Sequence, residues 1–432
     1  MTNRLQVGID FSHKGADVCL LAPDGQMLED HVRCANSQMG FEQAKALLLE
    51  AMAADQFSGL DISGEATNTY WLPFFQQLHD DPQLNEYDLN LFLLNPRWVK
   101  WFKKCFAPDD KSDLKDPFYI AERTRTRRPE VAWQPLDTLP LRFYTRYRFH
   151  LAQDISREKN YFLALLFLKV SAYNQLKPFS NTFGQASGHI LSQEPDLTHL
   201  VSLPVADLAD SLAHLSHNLP DPTSNALRLQ QAIQHSFPLP SEWSQPLQDV
   251  LVSTLAHIRF IEQQQHQVEA QIKALLSRYP YIQQLTTIPK VGLILASGIG
   301  AEIGDTHRFR QGRKWDKKRK RYRPRTLRNA EDAIAKIAGL WWPKNDSGDF
   351  EAQDRHLSKA GNPYLRYYFV QAANLMRQAI PEYAQFYHRK FHEVSKHQHK
   401  RALVLTARKS VGLFVGLLHR NEAYRSLEER MA

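Results

Sequence analysis

Four acidic residues, Asp10, Glu65, Asp113 and Asp116, have the types and spacing for chemistry on a phosphate. Asp10 closes the apolar run Leu5-Gln-Val-Gly-Ile9, and Glu65 follows Leu60-Asp-Ile-Ser63-Gly. Asp113 and Asp116 lie in Asp-Lys-Ser-Asp-Leu-Lys-Asp-Pro-Phe, where the chain enters a helix, and an i, i+3 pair there shares one helical face. Carboxylates at strand ends and on an adjacent helix can converge across one edge of an α/β sheet. Hard oxygen donors of this kind suit Mg²⁺ or Mn²⁺. One or two such ions can align a phosphodiester, and phosphoryl transfer asks mainly for positioning and charge neutralisation. Taken singly, each residue also has a plainer reading. Asp10 reads as a strand-end turn residue, Glu65 as a solvated carboxylate, Asp113 as an N-cap and Asp116 as a first-turn acid.

The elements that must position these residues are legible as patterns. Leu5–Ile9 and Val18-Cys-Leu-Leu-Ala22 are short apolar runs that pair as a hairpin, with His31–Ala35 as a third strand. Phe41–Ala53 has helical composition, Leu60–Ser63 is a fourth strand, Tyr70–Leu78 a helix and Asn90–Leu94 a fifth strand closing at Asn95-Pro96. A meander followed by alternating helix and strand predicts a ribonuclease-H-like α/β layout. Residues 141–175 read as helical, and the proline-rich 176–246 as a set of small helices. Across 247–277, Leu247, Val250, Leu251, Thr254, Ile258, Ile261, Gln265, Val268, Ile272 and Leu275 keep three–four spacing. That is a coiled-coil seam with one polar layer, or an amphipathic helix packed on its own domain. Two further helices, Leu365–Ala379 and Arg401–Leu418, are expected near the end.

Charge sorts the chain. Residues 301–432 carry 28 Lys+Arg against 14 Asp+Glu, whereas residues 1–300 carry 26 against 32, so the whole excess of +8 comes from the last third. A basic end on an otherwise acidic chain points to a polyanion partner. The hydrophobic fraction of 43% is enough for real cores and excludes a wholly disordered chain. Three scattered cysteines, Cys19, Cys34 and Cys105, exclude a disulfide scaffold and a structural zinc site. With neither a signal-peptide pattern nor an apolar span of transmembrane length, a cytoplasmic protein with no membrane partner is expected, nucleoid-associated if the polyanion is DNA.

Arg308–Arg328 holds twelve Lys/Arg, among them Arg313, Lys314, Lys317, Lys318, Arg319, Lys320, Arg321 and Arg323, with Trp315 and Tyr322 interleaved. This cluster reads as a basic insertion (308–328) reaching over nucleic acid, or as a solvated loop. Leu285-Thr-Thr-Ile-Pro-Lys290-Val-Gly has the layout of a helix-hairpin-helix turn, with Lys290 where a first Gly is common. Gly361-Asn362-Pro363 reads as a helix start with Asn362 as N-cap, and Arg366 one turn on is suited to a phosphate. Trp341 and Trp342 are expected in a core.

The motifs resemble a known family. Gly8-Ile-Asp10-Phe-Ser-His-Lys, Gly64-Glu65-Ala-Thr-Asn-Thr-Tyr70, Asn95-Pro96 and Lys111-Ser-Asp113-Leu-Lys-Asp116 look like the DEDD transposases of bacterial insertion sequences, the IS-one-ten family and its eleven-eleven sister group. Ala338-Gly-Leu-Trp-Trp-Pro, Ser347-Gly348 and Lys359-Ala-Gly-Asn-Pro-Tyr-Leu-Arg366 resemble the second domain of the same proteins. Asn68 and Pro117 depart from the family pattern, which usually has Gly and Ala there. The resemblance implies a RuvC-like metal domain over 1–125, with Asp10, Glu65, Asp113 and Asp116 as ligands of Mg²⁺ or Mn²⁺. It implies a helical linker and coiled-coil oligomerisation region over 126–280 and a mostly helical transposase domain over 281–432, with Ser347 as nucleophile. It also implies recombination of donor and target double-stranded DNA through a covalent serine–DNA intermediate, a noncoding bridge RNA as guide, and a homodimer assembling to a tetramer. The alternative is a RuvC-like, Holliday-junction-type endonuclease using metal-activated water. A third reading is an RNA-binding protein on a decayed ribonuclease-H scaffold.

Overall fold

The computed structural model describes residues 3–55, 57–106, 115–193, 196–216, 219–316, 319–343, 346–347, 350–351, 357–358 and 360–431. Two compact units divide the chain. One takes residues 1–137 and 304–334, the other residues 138–303 and 335–432.

The first unit is built on a mixed sheet. β1 (Arg4–Phe11), β2 (Gly15–Leu21) and β3 (Met27–Ala35) form an antiparallel meander. Then α1 (Gln38–Asp55) leads to β4 (Gly59–Glu65), and α2 (Leu72–Asp80) leads to β5 (Asp88–Leu94). β4 and β5 run parallel to β1, which gives the order β3-β2-β1-β4-β5. α3 (Pro96–Phe106) and α4 (Asp116–Thr126) follow.

The sheet has two covered faces, so β1 reads as a continuous buried run rather than an alternating one. Leu5, Val7, Ile9 and Phe11 point into the main core with Val18, Leu20, Leu60, Ile62, Phe41, Leu48, Phe74 and Phe75. Gly8 and Asp10 belong to the other face by the two-residue period of a strand. There α4 lies on the sheet, with Ala121 packed against Cys19 and Leu21. Asp61, fully buried, accepts from Arg4 Nε at 2.8 Å and from Arg128 Nε at 2.7 Å, which ties the chain just beyond α4 back to the sheet.

The second unit begins with α5 (Leu139–Lys169) and a run of short helices: α6 (Tyr173–Leu176), α7 (Gln185–Gln193), α8 (His199–Ser202), α9 (Val205–Leu215) and α10 (Pro222–Gln234). The small helices expected over 176–246 are present and bury Leu197, Leu200, Leu208 and Leu212 in one cluster with α5 and the helix that follows. That helix is α11 (Ser241–Leu276), packed along α5. Leu251, Thr254, Ile258, Ile261, Val268 and Ile272 of the three–four seam are buried within this single chain. The seam assigned to a partner protomer is therefore largely occupied by the chain's own packing. Spacing tells that a stripe is covered, not which helix covers it.

After α12 (Pro280–Gln283) and α13 (Leu293–Ile303) the chain returns to the first unit as β6 (Arg313–Asp316) and β7 (Arg321–Pro324), an antiparallel ribbon. Glu130, in the same unit, accepts from the backbone N–H of Arg313 at 2.9 Å. α14 (Leu327–Ile337) and the short pair β8 (Asp346–Ser347) and β9 (Phe350–Glu351) precede α15 (Pro363–Ala379), α16 (Pro381–His392), α17 (Gln398–Arg420) and α18 (Leu427–Met431). α17 is the one described helix long and apolar enough by composition to cross a membrane. It is the core helix of a bundle, burying Val411, Phe414 and Val415 and packing on α15 and α16.

Candidate functional site: a carboxylate edge and a serine loop

Three of the four carboxylates lie on the α4 side of the sheet, near enough for Asp10 and Asp116 to act on Glu65 through their charge. Ile9 of β1 is paired with Gly64 of β4, so the next position along sets Asp10 beside Glu65 at the carboxyl ends of two neighbouring parallel strands. Asp116 is the first residue of α4. That helix comes close because β1 has no side chain at Gly8: a Cβ there would sit 1.9 Å from the Pro117 carbonyl oxygen. Pro117 in the first turn forfeits no hydrogen bond, so its departure from the family pattern costs nothing.

The charges of the three act on one another. The Glu65 carboxyl is held above its ordinary range by burial; the Thr67 hydroxyl, donating to it at 3.2 Å, opposes this, while the negative charges of Asp10 and Asp116 add to it. Lys103 of α3 places its Nζ 2.5 Å from Asp116 and partly offsets the repulsion. Asp113 lies outside the described residues. Among the described residues no three His, Cys, Asp or Glu side chains stand in a metal-holding arrangement. Asn68, where the family pattern has Gly, has φ +51°, a left-handed conformation that Asn tolerates better than most residues.

In the second unit Ser347 lies in β8, its backbone paired with Phe350. Two backbone bonds join residues on either side of it. Asn362 N–H donates to the Ile337 carbonyl at 2.6 Å and Ser358 N–H to the Trp341 carbonyl at 2.9 Å. Gly339, at φ +69°, passes under the Arg366 guanidinium, which would meet a Cβ there at 2.5 Å. Asn362 caps α15 as its sequence predicts, accepting from the N–H groups of Tyr364 and Leu365. Its amide Nδ2 is spent on Glu302, at 2.6 Å. Trp341 is no core residue: it is 39% exposed, beneath the Lys336 ammonium 4.7 Å from its ring.

The basic cluster is a two-faced ribbon rather than a loop. Arg313 and Trp315 pair with Pro324 and Tyr322, and the two aromatic rings meet edge-on at 5.1 Å. Lys314 and Asp316 pair with Arg323 and Arg321 on the opposite face. Arg319 and Lys320 are in the connecting turn, Lys320 at φ +47°, while Lys317 and Lys318 lie outside the described residues. Lys290 has φ +66°, the conformation for which such a turn usually takes Gly, and α13 begins three residues later.

Comparison with known families matches residues 7–168 to the DEDD_Tnp_IS110 transposase family and residues 324–388 to the Transposase IS116/IS110/IS902 family. The first segment contains Asp10, Glu65, Asp113 and Asp116; the second contains Ser347, Asn362 and Arg366. Together they span more than half of the chain. The chain belongs to the IS110 family of DEDD transposases. No curated protein matches it.

The transposase is thus an enzyme acting on DNA, with its two family segments centred in different compact units. Sequence reasoning missed part of the framework. Glu302, its side chain fully buried, takes two bonds from Arg146 (2.6 and 3.0 Å), lies 3.4 Å from Arg142 and holds Asn362. It lies at the end of an apolar helix with nothing in its spacing to mark it. Lys103 was equally invisible, one of four cations in a helix the pattern did not predict.

Proposed function

We propose that the transposase cuts and rejoins DNA strands through Ser347, assisted by a divalent cation at the carboxylate edge of a RuvC-like domain. The observation that carries this reading is the placement of Asp10 and Glu65 at neighbouring strand ends with Asp116 at the start of the helix over them, in a chain whose serine segment matches the same family. The strand order β3-β2-β1-β4-β5, with a meander and two parallel additions, is the ribonuclease-H-like order and supports that domain assignment. An all-oxygen donor set whose Glu65 carboxyl is held up by burial, and further by like charge, suits a hard ion such as Mg²⁺ or Mn²⁺. Asp10, Glu65 and Asp116, with Asp113, would hold it. Bound there, the ion would supply positive charge to the scissile phosphate.

The chain's own residues do the rest. Ser347 Oγ forms a bond to phosphorus as the phosphate's bond to one DNA oxygen breaks, and the hydroxyl proton passes to solvent while the freed oxygen gains one. A hydroxyl of the second DNA then displaces Ser347, restoring the serine. The ester stores the bond energy between steps. The ribbon β6–β7 has the width to enter a major groove or follow a backbone, with Arg321 and Arg323 on phosphates. Lys290 and Arg366 are further candidate phosphate contacts. A noncoding bridge RNA as guide, and protomers pairing to a dimer and then a tetramer on two DNAs, belong to the same reading. Exposed apolar side chains on α5 and α11, Phe143, Tyr147 and Phe260 among them, offer surface for that pairing. The place of action would be the cytoplasm.

The test is recombination of a donor and a target plasmid with the RNA supplied. Ser347→Ala and Asp10→Asn should each abolish product. Full recombination by the first would remove the serine role; by the second, the metal role. Cleavage that survives Ser347→Ala but needs Asp10 would mean the nuclease reading with water as nucleophile.

A further inference from the structure

α3 presents to solvent a face that the recombination reading does not use. Its start is built by Asn95, whose side chain accepts from the Arg97 N–H at 2.9 Å, with Pro96 at the first position. Only its inner side is anchored: Val99 is buried with Phe92, Leu94 and Ile120. At 100° per residue the exposed positions form one continuous arc. Lys100, Lys104 and Arg97 make up one side of the arc, and Trp101, Cys105 and Trp98 make up the other. Trp98 is 55% exposed and Trp101 63%, and the helix carries no acidic residue.

Two tryptophans left in water are unusual, because burying such side chains is a main source of stability. Here they stand one turn apart beside a row of cations. That combination matches a single nucleic-acid strand: bases lie flat on indole faces while phosphates follow the cations. A duplex hides its base faces and cannot use the indoles. The inner side of the same helix fixes the location, since Lys103 reaches from it to Asp116. α3 thus borders the carboxylate edge.

We infer that α3 is a stacking platform for an unpaired DNA strand, Trp98 and Trp101 holding bases and Arg97, Lys100 and Lys104 holding phosphates, so that strand separation accompanies delivery to the carboxylates. The occupant rests on the reading of that edge as the place of strand chemistry; binding itself does not.

The experiment is fluorescence anisotropy of labelled thymidine oligonucleotides with the full-length, RNA-free protein in chelator, where strand chemistry is off and failure of the catalytic reading cannot mimic failure of binding. Affinity for the single strand should fall about tenfold in Trp98→Ala and in Trp101→Ala, and Trp101→Phe should recover most of it. Affinity for a duplex should stay within about twofold, and thermal melting should not move because neither indole is buried. Equal losses on single strand and duplex, or no loss on either, would overturn the platform. With a uridine oligonucleotide run in parallel, a loss confined to it would assign the face to RNA and overturn the DNA occupant. A change in oligomeric mass in Trp98→Ala/Trp101→Ala without loss of binding would make it a protein interface.

Discussion

The Pro117 carbonyl oxygen occupies the space a Cβ on Gly8 would need, 1.9 Å from its ideal position. β1 and α4 thus touch backbone to backbone, and this contact sets Asp116 near the ends of β1 and β4. Gly8→Ala is expected to cost about 1–3 kcal/mol of stability, as overpacking does. It should reduce strand cleavage further than the loss of folded protein explains, since Asp116 moves with α4. Gly292→Ala, whose Cβ would meet nothing within 4 Å, should change stability by less than about 0.5 kcal/mol. Urea denaturation and cleavage rates on both variants check this.

The Glu65 carboxyl gives a prediction whose sign follows from its cause. Burial, with Asp10 and Asp116 beside it, raises its folded pKa. A raised carboxyl costs stability above that pKa and costs none once both folded and unfolded forms are protonated. In chelator at about pH 7, Glu65→Gln should therefore raise the melting temperature by about 1–3 °C. Near pH 3 the difference should vanish. With millimolar Mg²⁺ the order should reverse, because a bound ion stabilises only the chain that holds it. Scanning calorimetry with and without the ion reads all three.

Asn362 separates capping from its link to Glu302. Asn362→Ala should cost about 1–2 kcal/mol through the lost cap. Asp is as good a cap as Asn. Even so, Asn362→Asp should cost more than Ala, because it sets a carboxylate against the buried Glu302 at the place of a 2.6 Å hydrogen bond. If Asp proved neutral in a melting comparison, the Glu302 contact would have no energetic weight.

The fold was legible where burial left a pattern. All five strands were expected, because β1, β2 and β4 are apolar runs bounded by turns, and each proved longer by one or more residues at an end. The ribbon β6–β7 was not, since its strands are Arg, Lys, Trp and Tyr with nothing to bury. α3 escaped for the same reason, as most of its surface is wet. The α11 seam was read correctly as a covered stripe, but α5 of the same chain does much of the covering. Asp10 and Glu65 were readable because strand ends are punctuated. Glu302 was not, because a single buried acid leaves no periodicity.

The ribbon should reveal itself through salt. Arg321→Ala/Arg323→Ala should lower the slope of log binding constant against log salt by about 2 for duplex DNA, one counterion released per lost phosphate contact. Trp315→Ala should leave that slope unchanged while weakening binding. Titrations at several salt concentrations distinguish the two.

The most direct test of the serine mechanism is to trap the intermediate. Incubate the transposase with Mg²⁺, guide RNA and a donor DNA that cannot be rejoined, denature, digest and map the modified peptide by mass spectrometry. The account predicts a nucleotide ester on Ser347, absent in Ser347→Ala and in Asp10→Asn. DNA cleaved in full with no protein-bound nucleotide, or with the nucleotide on another residue, would contradict it.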